Sequence, residues 1–383
     1  MYRRNILQIL EKSKKSCLLL GPRQAGKSTL MESLKPDLAF NLMHDPTFVR
    51  FSRNPGELEE RLGPIRSGQV LIDEIQRLPS LLNTLQVLID GPYRGVRFLL
   101  TGSSARKLRR GSANLLPGRI HTYNLGPLVS SEVEGGLDTK RALAFGTLPG
   151  IYAEADDHEA AKTLRSYAST YLREEIQAEA LTKNIEGFSR FLFLAAVTSG
   201  QFLDLNKLSS EAAVPRQTAT RFFEILEDTL IVSRVAAFAK SERRRLVQHP
   251  RYFFFDTGVL GGLLESFTVS LDRIGLHFEN LLFNQIQNTA WSYDTPIRIS
   301  SYRTGAGAEV DFIVEVKDQV WAIEAKASTN VGVDDLCGLK SFETFYGKKC
   351  RPVVAYLGQS RRFLQQVEVW PWQELLAEMF GKA

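Results

Sequence analysis

The chain of 383 residues exceeds the usual single-domain size, and its 44% hydrophobic and 24% charged content is that of a folded globular protein with more than one core. Its net charge is +5, and basic residues cluster in Arg106-Lys107-Leu108-Arg109-Arg110 and in Lys240-Ser241-Glu242-Arg243-Arg244-Arg245, a pattern open both to nucleic-acid contact and to solvated loops. Three scattered cysteines argue against a disulfide framework or a zinc ribbon, and no apolar run approaches the roughly 20 residues needed to span a bilayer, so a cytoplasmic protein is expected.

Ser16-Cys17-Leu18-Leu19-Leu20 suits a buried parallel strand and leads into Gly21-Pro22-Arg23-Gln24-Ala25-Gly26-Lys27-Ser28, followed by a helix-compatible stretch. Strand, glycine-containing loop and helix in this order make a phosphate-binding loop. Gly21 and Gly26 let the backbone turn its N–H groups toward phosphates, Lys27 reaches the outer phosphates, and Ser28 offers a hydroxyl to Mg²⁺. The expected nucleotide contacts are Gly21, Gln24, Ala25, Gly26, Lys27, Ser28 and Thr29, with ATP and Mg²⁺ as cofactors. A second apolar run, Gln69-Val70-Leu71-Ile72, ends in Asp73-Glu74. Asp73 is the expected partner of Mg²⁺, holding it through water, and Glu74 the carboxylate that orients or polarises the attacking water.

Val96 to Ser104 reads as the strand beside the phosphate site, with Thr101 or Ser103 as its polar sensor of the γ-phosphate. In Leu116-Pro117-Gly118-Arg119-Ile120, Arg119 is the candidate arginine finger or sensor, acting in cis or from a neighbouring copy; Arg106 competes for the role, and a salt bridge is the alternative for either.

Gly-Pro-Arg-Gln-Ala-Gly-Lys-Ser-Thr (21–29), Asp-Glu-Ile-Gln-Arg-Leu-Pro (73–79), Leu-Thr-Gly-Ser-Ser (100–104) and Leu-Pro-Gly-Arg (116–119) together resemble a prokaryotic family of AAA-type ATPases. In that family the ATPase core is joined to a C-terminal domain, long classed as of unknown function, that resembles a PD-(D/E)xK nuclease. The resemblance extends over essentially the whole chain, through Gly146-Thr147-Leu148-Pro149-Gly150. Pro117 departs from it, since alanine often stands there.

From Ala155 to about Ser199 the apolar residues Leu164, Tyr167, Tyr171, Leu172 and Ile176 are spaced for a helical lid or linker. Leu205–Val214 and Gln217–Asp228, separated by Pro215-Arg216, outline a helix-turn-helix, and two β-rich segments (230–238 and 252–255) flank the basic run at 240–245. This is a winged-helix outline. If it binds DNA, Gln217, Thr218, Thr220 and Arg221 lie at the start of the recognition helix, and Arg243, Arg244 and Arg245 reach the backbone; the alternative is a packing module.

Phe278–Ile286 suits a helix carrying Glu279, and strands are expected over 296–302, 309–316 and 320–326, then a helix near 333–346 and a strand near 352–356. This α-β-β-β-α-β order is the core of the PD-(D/E)xK nucleases. Glu324 and Lys326, two apart, share one strand face, where Asp311 of the preceding strand can join them. Asp311 and Glu324 are expected to bind Mg²⁺ with Glu279 as a further ligand, Lys326 to position water or stabilise the phosphate, and Ser328 to touch the substrate backbone.

The expected fold is α/β: an AAA-type P-loop NTPase core with a parallel sheet between helices (1–133), a helical lid (134–199), a winged helix (200–268) and an α/β PD-(D/E)xK-like domain (269–383). The expected function is a Mg²⁺-dependent ATPase coupled to DNA binding in a homo-oligomer. The likeness of its C-terminal part to Holliday-junction resolvases implies branched DNA. An ATP-dependent nuclease, and a nucleotide-controlled switch without nucleic acid, are the alternatives.

Overall fold

The computed structural model describes residues 2–54, 56–103, 116–171, 184–238 and 249–381. Leu172, Ile176, Ser104, Arg106, Arg243, Arg244 and Arg245 lie outside the described residues. Contacts gather the chain into two units, residues 1–127 with Asp228–Ile231, and residues 128–227 with 232–383.

The first unit is built on five parallel strands, β1 (Ser16–Leu20), β2 (Leu38–Asn41), β3 (Ser67–Asp73), β4 (Gly95–Gly102) and β5 (Ile120–Asn124), in the order β2-β3-β4-β1-β5. Strands buried on both faces need apolar side chains at successive positions, which is why these segments read as continuous apolar runs. Leu18, Leu20, Val70, Ile72, Phe98 and Leu100 face one cluster, and Cys17, Leu19, Leu71 and Leu99 face the other. Helices α1 (Ile6–Lys12) and α2 (Lys27–Glu32) cover the second face through Ile6, Leu10, Leu30 and Met31. The first is covered by α3 (Asp45–Arg53), α4 (Glu57–Leu62) and α5 (Leu81–Asp90). In α5 the buried Leu81, Leu82, Leu85 and Leu88 recur at helical spacing, and Gly91 ends the helix.

The second unit holds an eight-stranded mixed sheet, ordered β12-β13-β11-β10-β9-β8-β6-β7. Its strands are β6 (Val232–Ala237), β7 (Arg251–Phe254), β8 (Ile297–Arg303), β9 (Glu309–Val316), β10 (Gln319–Lys326), β11 (Arg351–Tyr356), β12 (Arg362–Leu364) and β13 (Val367–Pro371). Phe312 and Val314 point to a cluster shared with the helices Ile274–Ser292 and Trp372–Phe380, while Val310 and Ile313 join Leu339 and Phe342 of the helix Cys337–Tyr346. The hairpin β6–β7 follows the helices Leu205–Glu211 and Arg216–Asp228, and β6 pairs in parallel with β8 through Ala236↔Ser300 and Ala237↔Ser301. The segment with a winged-helix outline and the C-terminal segment therefore share one sheet. No helix among the described residues is long and apolar enough to cross a membrane.

The helix Ile274–Ser292 is buried along most of its length despite several amides. Asn280 and Asn284 donate to the Phe254 carbonyl at 3.1 and 2.9 Å, and Gln285 donates to the Leu128 carbonyl at 2.9 Å. These bonds offset the desolvation of the amides and hold remote backbone against the helix.

Asp256 makes a similar tie, accepting from the Thr147 and Val259 N–H groups at 2.7 and 3.0 Å. A Cβ on Gly146 would sit 2.0 Å from its Oδ1, so the approach requires glycine. Burial pushes the Asp256 carboxyl up from 3.8 to about 6. A raised folded-state value favours the fold below the unfolded value, and that contribution disappears as pH rises through about 6. Asp256→Asn is therefore expected to flatten the dependence of unfolding free energy on pH between 3.8 and about 6, measured by urea denaturation; an unchanged slope would remove Asp256 as its source.

Candidate nucleotide site and carboxylate cluster

The phosphate loop leaves β1 at Leu20 and enters α2 at Lys27. Gln24 and Gly26 take positive φ, 62° and 91°, which turns the chain sharply enough for successive N–H groups to face one side. Gly21 packs against the chain after β5, where an added Cβ would stand 2.1 Å from the Leu125 carbonyl oxygen. The Lys27 ammonium is buried and donates to the Gly21 and Pro22 carbonyls at 2.9 and 3.0 Å. Ala25 is buried, whereas Gln24 and Thr29 are exposed.

Because β4 lies between β1 and β3, the C-terminal ends of all three strands converge on this loop. Ser28 Oγ is 2.9 and 3.0 Å from the two carboxylate oxygens of Asp73. Thr101 Oγ1 donates to Asp73 and accepts from the Glu74 N–H at 2.9 Å. Glu74 has left-handed backbone, φ 60° and ψ 47°, a conformation costing a residue with a Cβ about 1–2 kcal/mol and held here by its neighbours. Its carboxylate accepts from the Gln76 amide, which also donates to Ser103 Oγ at 3.0 Å. The structure thus brings Lys27, Ser28, Asp73, Glu74, Thr101 and Ser103 together. Ser28 and Asp73 are hard oxygen donors beside a phosphate loop, a set that fits Mg²⁺ completed by water and nucleotide phosphates.

Arg119 is placed elsewhere. It precedes Ile120, which pairs with Ser16 at the opposite end of β1 from the loop, about 13 Å away at ~3.3 Å per residue. Its guanidinium is engaged by Asp90, with Nε–Oδ1 and Nη2–Oδ2 both 2.7 Å, and this pairing holds the Asp90 carboxyl below its ordinary value. Action in cis on the nucleotide of its own chain does not fit this placement.

Two residues missed by sequence reasoning support the site. Gln76 connects Glu74 to Ser103; its signal was a polar residue two positions after the acidic pair. Arg4 is buried, and its guanidinium donates to the carbonyls of Ala25 at 2.8 Å, Gly126 at 2.8 Å and Pro127 at 3.2 Å, tying the loop to the segment after β5.

In the second unit, Gln217, Thr220 and Arg221 are exposed and Thr218 is half-buried at the start of the helix Arg216–Asp228. The opposite face buries Ala219, Phe222, Phe223, Ile225 and Leu226. Asp311 of β9 and Glu324 and Lys326 of β10 do meet: the Asp311 carboxylate accepts from the Ala325 N–H at 2.9 Å, and Lys326 Nζ lies 3.1 Å from Glu324 Oε1 and 3.2 Å from Asp335 Oδ1. Glu279 joins through Arg251, which pairs with both Glu279 and Asp311. Burial, reinforced by the Asp311 charge, pushes the Glu279 and Glu324 carboxyls each up to about 8. Ser328 is exposed and caps a local turn by accepting from the Asn330 N–H. Among the described residues no group of three or more His, Cys, Asp or Glu side chains is arranged to hold a metal ion, and with Arg251 inserted between Glu279 and Asp311 the cluster does not fit Mg²⁺.

Residues 13–134 match the family model of an AAA domain, and residues 137–269 and 274–375 each match a domain of unknown function, DUF8612 and DUF4143. The chain is 26% identical over 328 residues to an uncharacterized protein of Mycobacterium tuberculosis and to one of Mycobacterium bovis, covering 82% of this chain and 71% of each relative. Among solved structures, a Pif1 helicase from Candida albicans aligns with a TM-score of 0.25 at 17% identity, covering 44% of this chain and 48% of that one. PCH-2 of C. elegans aligns with a TM-score of 0.28 at 15% identity, covering 59% and 66%. Overlaps this low carry no conclusion about this chain. The AAA match, the parallel sheet and the phosphate loop make the N-terminal part an AAA-type ATPase domain of P-loop fold.

Arg4→Met keeps an apolar stem and removes the donors to Ala25, Gly126 and Pro127. It is expected to cost about 2–4 kcal/mol of stability and to weaken ATP binding, read by denaturant titration and by nucleotide fluorescence. Wild-type affinity in a folded variant would show that the tie is not needed to shape the loop.

Proposed function

We propose that the chain is a Mg²⁺-dependent ATPase that couples hydrolysis to DNA binding, acting on branched DNA such as Holliday junctions in repair or recombination. The observation that carries the ATPase reading is the convergence of Ser28, Asp73, Thr101 and Glu74 on the phosphate loop. Bound Mg²⁺ would neutralise charge on the β- and γ-phosphates. Lys27, released from the Gly21 and Pro22 carbonyls, binds the outer phosphates, Ser28 and Asp73 hold the metal with its waters, and Glu74 orients the attacking water. The Gln76 amide sets the direction of the Glu74 carboxylate, and Ser103 links that amide to the end of β4.

The DNA-binding part of the reading is supported by the exposed polar start of the helix Arg216–Asp228, with Gln217, Thr218, Thr220 and Arg221, followed by a β-hairpin. Such a surface holds phosphates without base specificity, which suits recognition of a branched shape. Arg119, remote from its own loop, serves a neighbouring copy in this reading, which makes the active form a homo-oligomer.

Glu74→Gln is expected to retain ATP binding and lower turnover about 10²–10⁴-fold; unchanged turnover would remove Glu74 from its role. Mixing Lys27→Ala chains with Arg119→Ala chains is expected to restore part of the activity that each lacks alone, and no restoration would count against action in trans. Incubation with single-stranded, duplex, forked and four-way-junction DNA, Mg²⁺ and ATP is expected to show stimulated hydrolysis without strand cleavage. DNA-independent hydrolysis with no salt-sensitive retention on DNA would instead favour a switch that needs no nucleic acid.

A further inference from the structure

Arg251 opens β7 with only 2% of its side chain exposed. Nη2 pairs with Glu279 Oε2, Nη1 lies 3.5 Å from Asp311 Oδ1 and donates to the Asp311 carbonyl at 3.1 Å, and Nε donates to the Gly200 carbonyl. The rings of Phe202, Phe253 and Phe312, with centroids 5.4, 5.0 and 5.6 Å from the guanidinium carbon, enclose it. A guanidinium held from every side in this way has one position.

The carboxylate oxygens are largely committed. Asp311 Oδ1 faces Arg251 and Oδ2 accepts from the Ala325 N–H, Glu279 Oε2 is taken by Arg251, and Glu324 Oε1 is taken by Lys326. Glu324 Oε2 is buried without a hydrogen-bond partner, and it alone does not make a site for a hard divalent ion. The Asp311 carboxylate, buried on β9, requires compensating positive charge, and here Arg251 of the chain itself provides it.

We propose that Arg251 is the resident cation of this cluster, supplying the positive charge that a divalent ion would otherwise supply, so that Glu279, Asp311 and Glu324 bind no metal and instead lock the β6–β7 hairpin to the C-terminal sheet. Tyr252, the next residue of β7, stacks on Phe223 of the helix Arg216–Asp228 at a centroid distance of 4.1 Å. Neighbouring strand residues point to opposite faces, so β7 grips the carboxylates with one side and the helix with the other. The lock thereby fixes the exposed start of that helix relative to the sheet. The assignment stands on this geometry alone and does not depend on ATP hydrolysis.

Mn²⁺ titration of the full nucleotide-free chain, followed by electron paramagnetic resonance, tests it in the wild type, Asp311→Asn, Arg251→Met and the double variant. Wild type and Asp311→Asn are expected to bind Mn²⁺ equally, while Arg251→Met gains an ion that the double variant loses. An Asp311-dependent ion in the wild type overturns the proposal, as does a folded Arg251→Met chain that gains none. Should Arg251→Met fail to fold, comparison of the wild type with Asp311→Asn decides alone.

Discussion

The hydrogen bond between Ser28 and Asp73 joins residues 45 positions apart across a strand that neither belongs to. β1 and β3 are not neighbours, and β4 between them contributes Thr101, whose hydroxyl satisfies Asp73 while holding the Glu74 backbone. This geometry requires the sheet to be parallel and in this order, with apolar residues on both faces of every central strand. The core of the first unit can be understood as the means of bringing three strand ends to one loop. Arg4 and Gly21 complete the arrangement from behind, one by donating to loop and strand-end carbonyls, the other by having no side chain where the Leu125 backbone passes.

The second unit solves a related problem with different parts. Asp256 and Asp311 are buried, and its central helix carries buried amides among its apolar residues. Asn280, Asn284 and Gln285 each donate to a carbonyl from a distant part of the chain, so packing is specified by direction as well as by shape. The Arg251 guanidinium extends the same logic to charge. Removing one partner of such a group is more damaging than never having had it, because the other is left buried and unpaired.

Local and contiguous features were legible in the sequence. The phosphate loop, the strand ending in Asp73-Glu74 and the neighbouring strand with Thr101 and Ser103 announce themselves because their chemistry is carried by adjacent residues and an apolar run on each side. Glu324 and Lys326 were likewise placed on one face by the two-residue period of a strand. Arg251 was not legible: it is one arginine ahead of an aromatic run, and only the long-range pairing of its hairpin partner β6 with β8 brings it to Asp311 and Glu279. A charged residue opening the apolar stretch Tyr252-Phe253-Phe254 was the available clue, since burying it demands a partner. Arg119 illustrates the opposite difficulty, for its motif named a residue type while the strand register decided which end of the sheet it occupies.

The parallel pairing of β6 with β8 also bears on how this chain can be divided or recombined. A fragment beginning at residue 269 would carry β8 with one side bare, presenting unpaired N–H and C=O groups to any strand in solution, and would leave Glu279 and Asp311 without their guanidinium. Such a piece is a template for self-association rather than a portable module. Keeping this C-terminal segment together with the helices and hairpin before it preserves both the β6–β8 pairing and the Arg251 ion pairs.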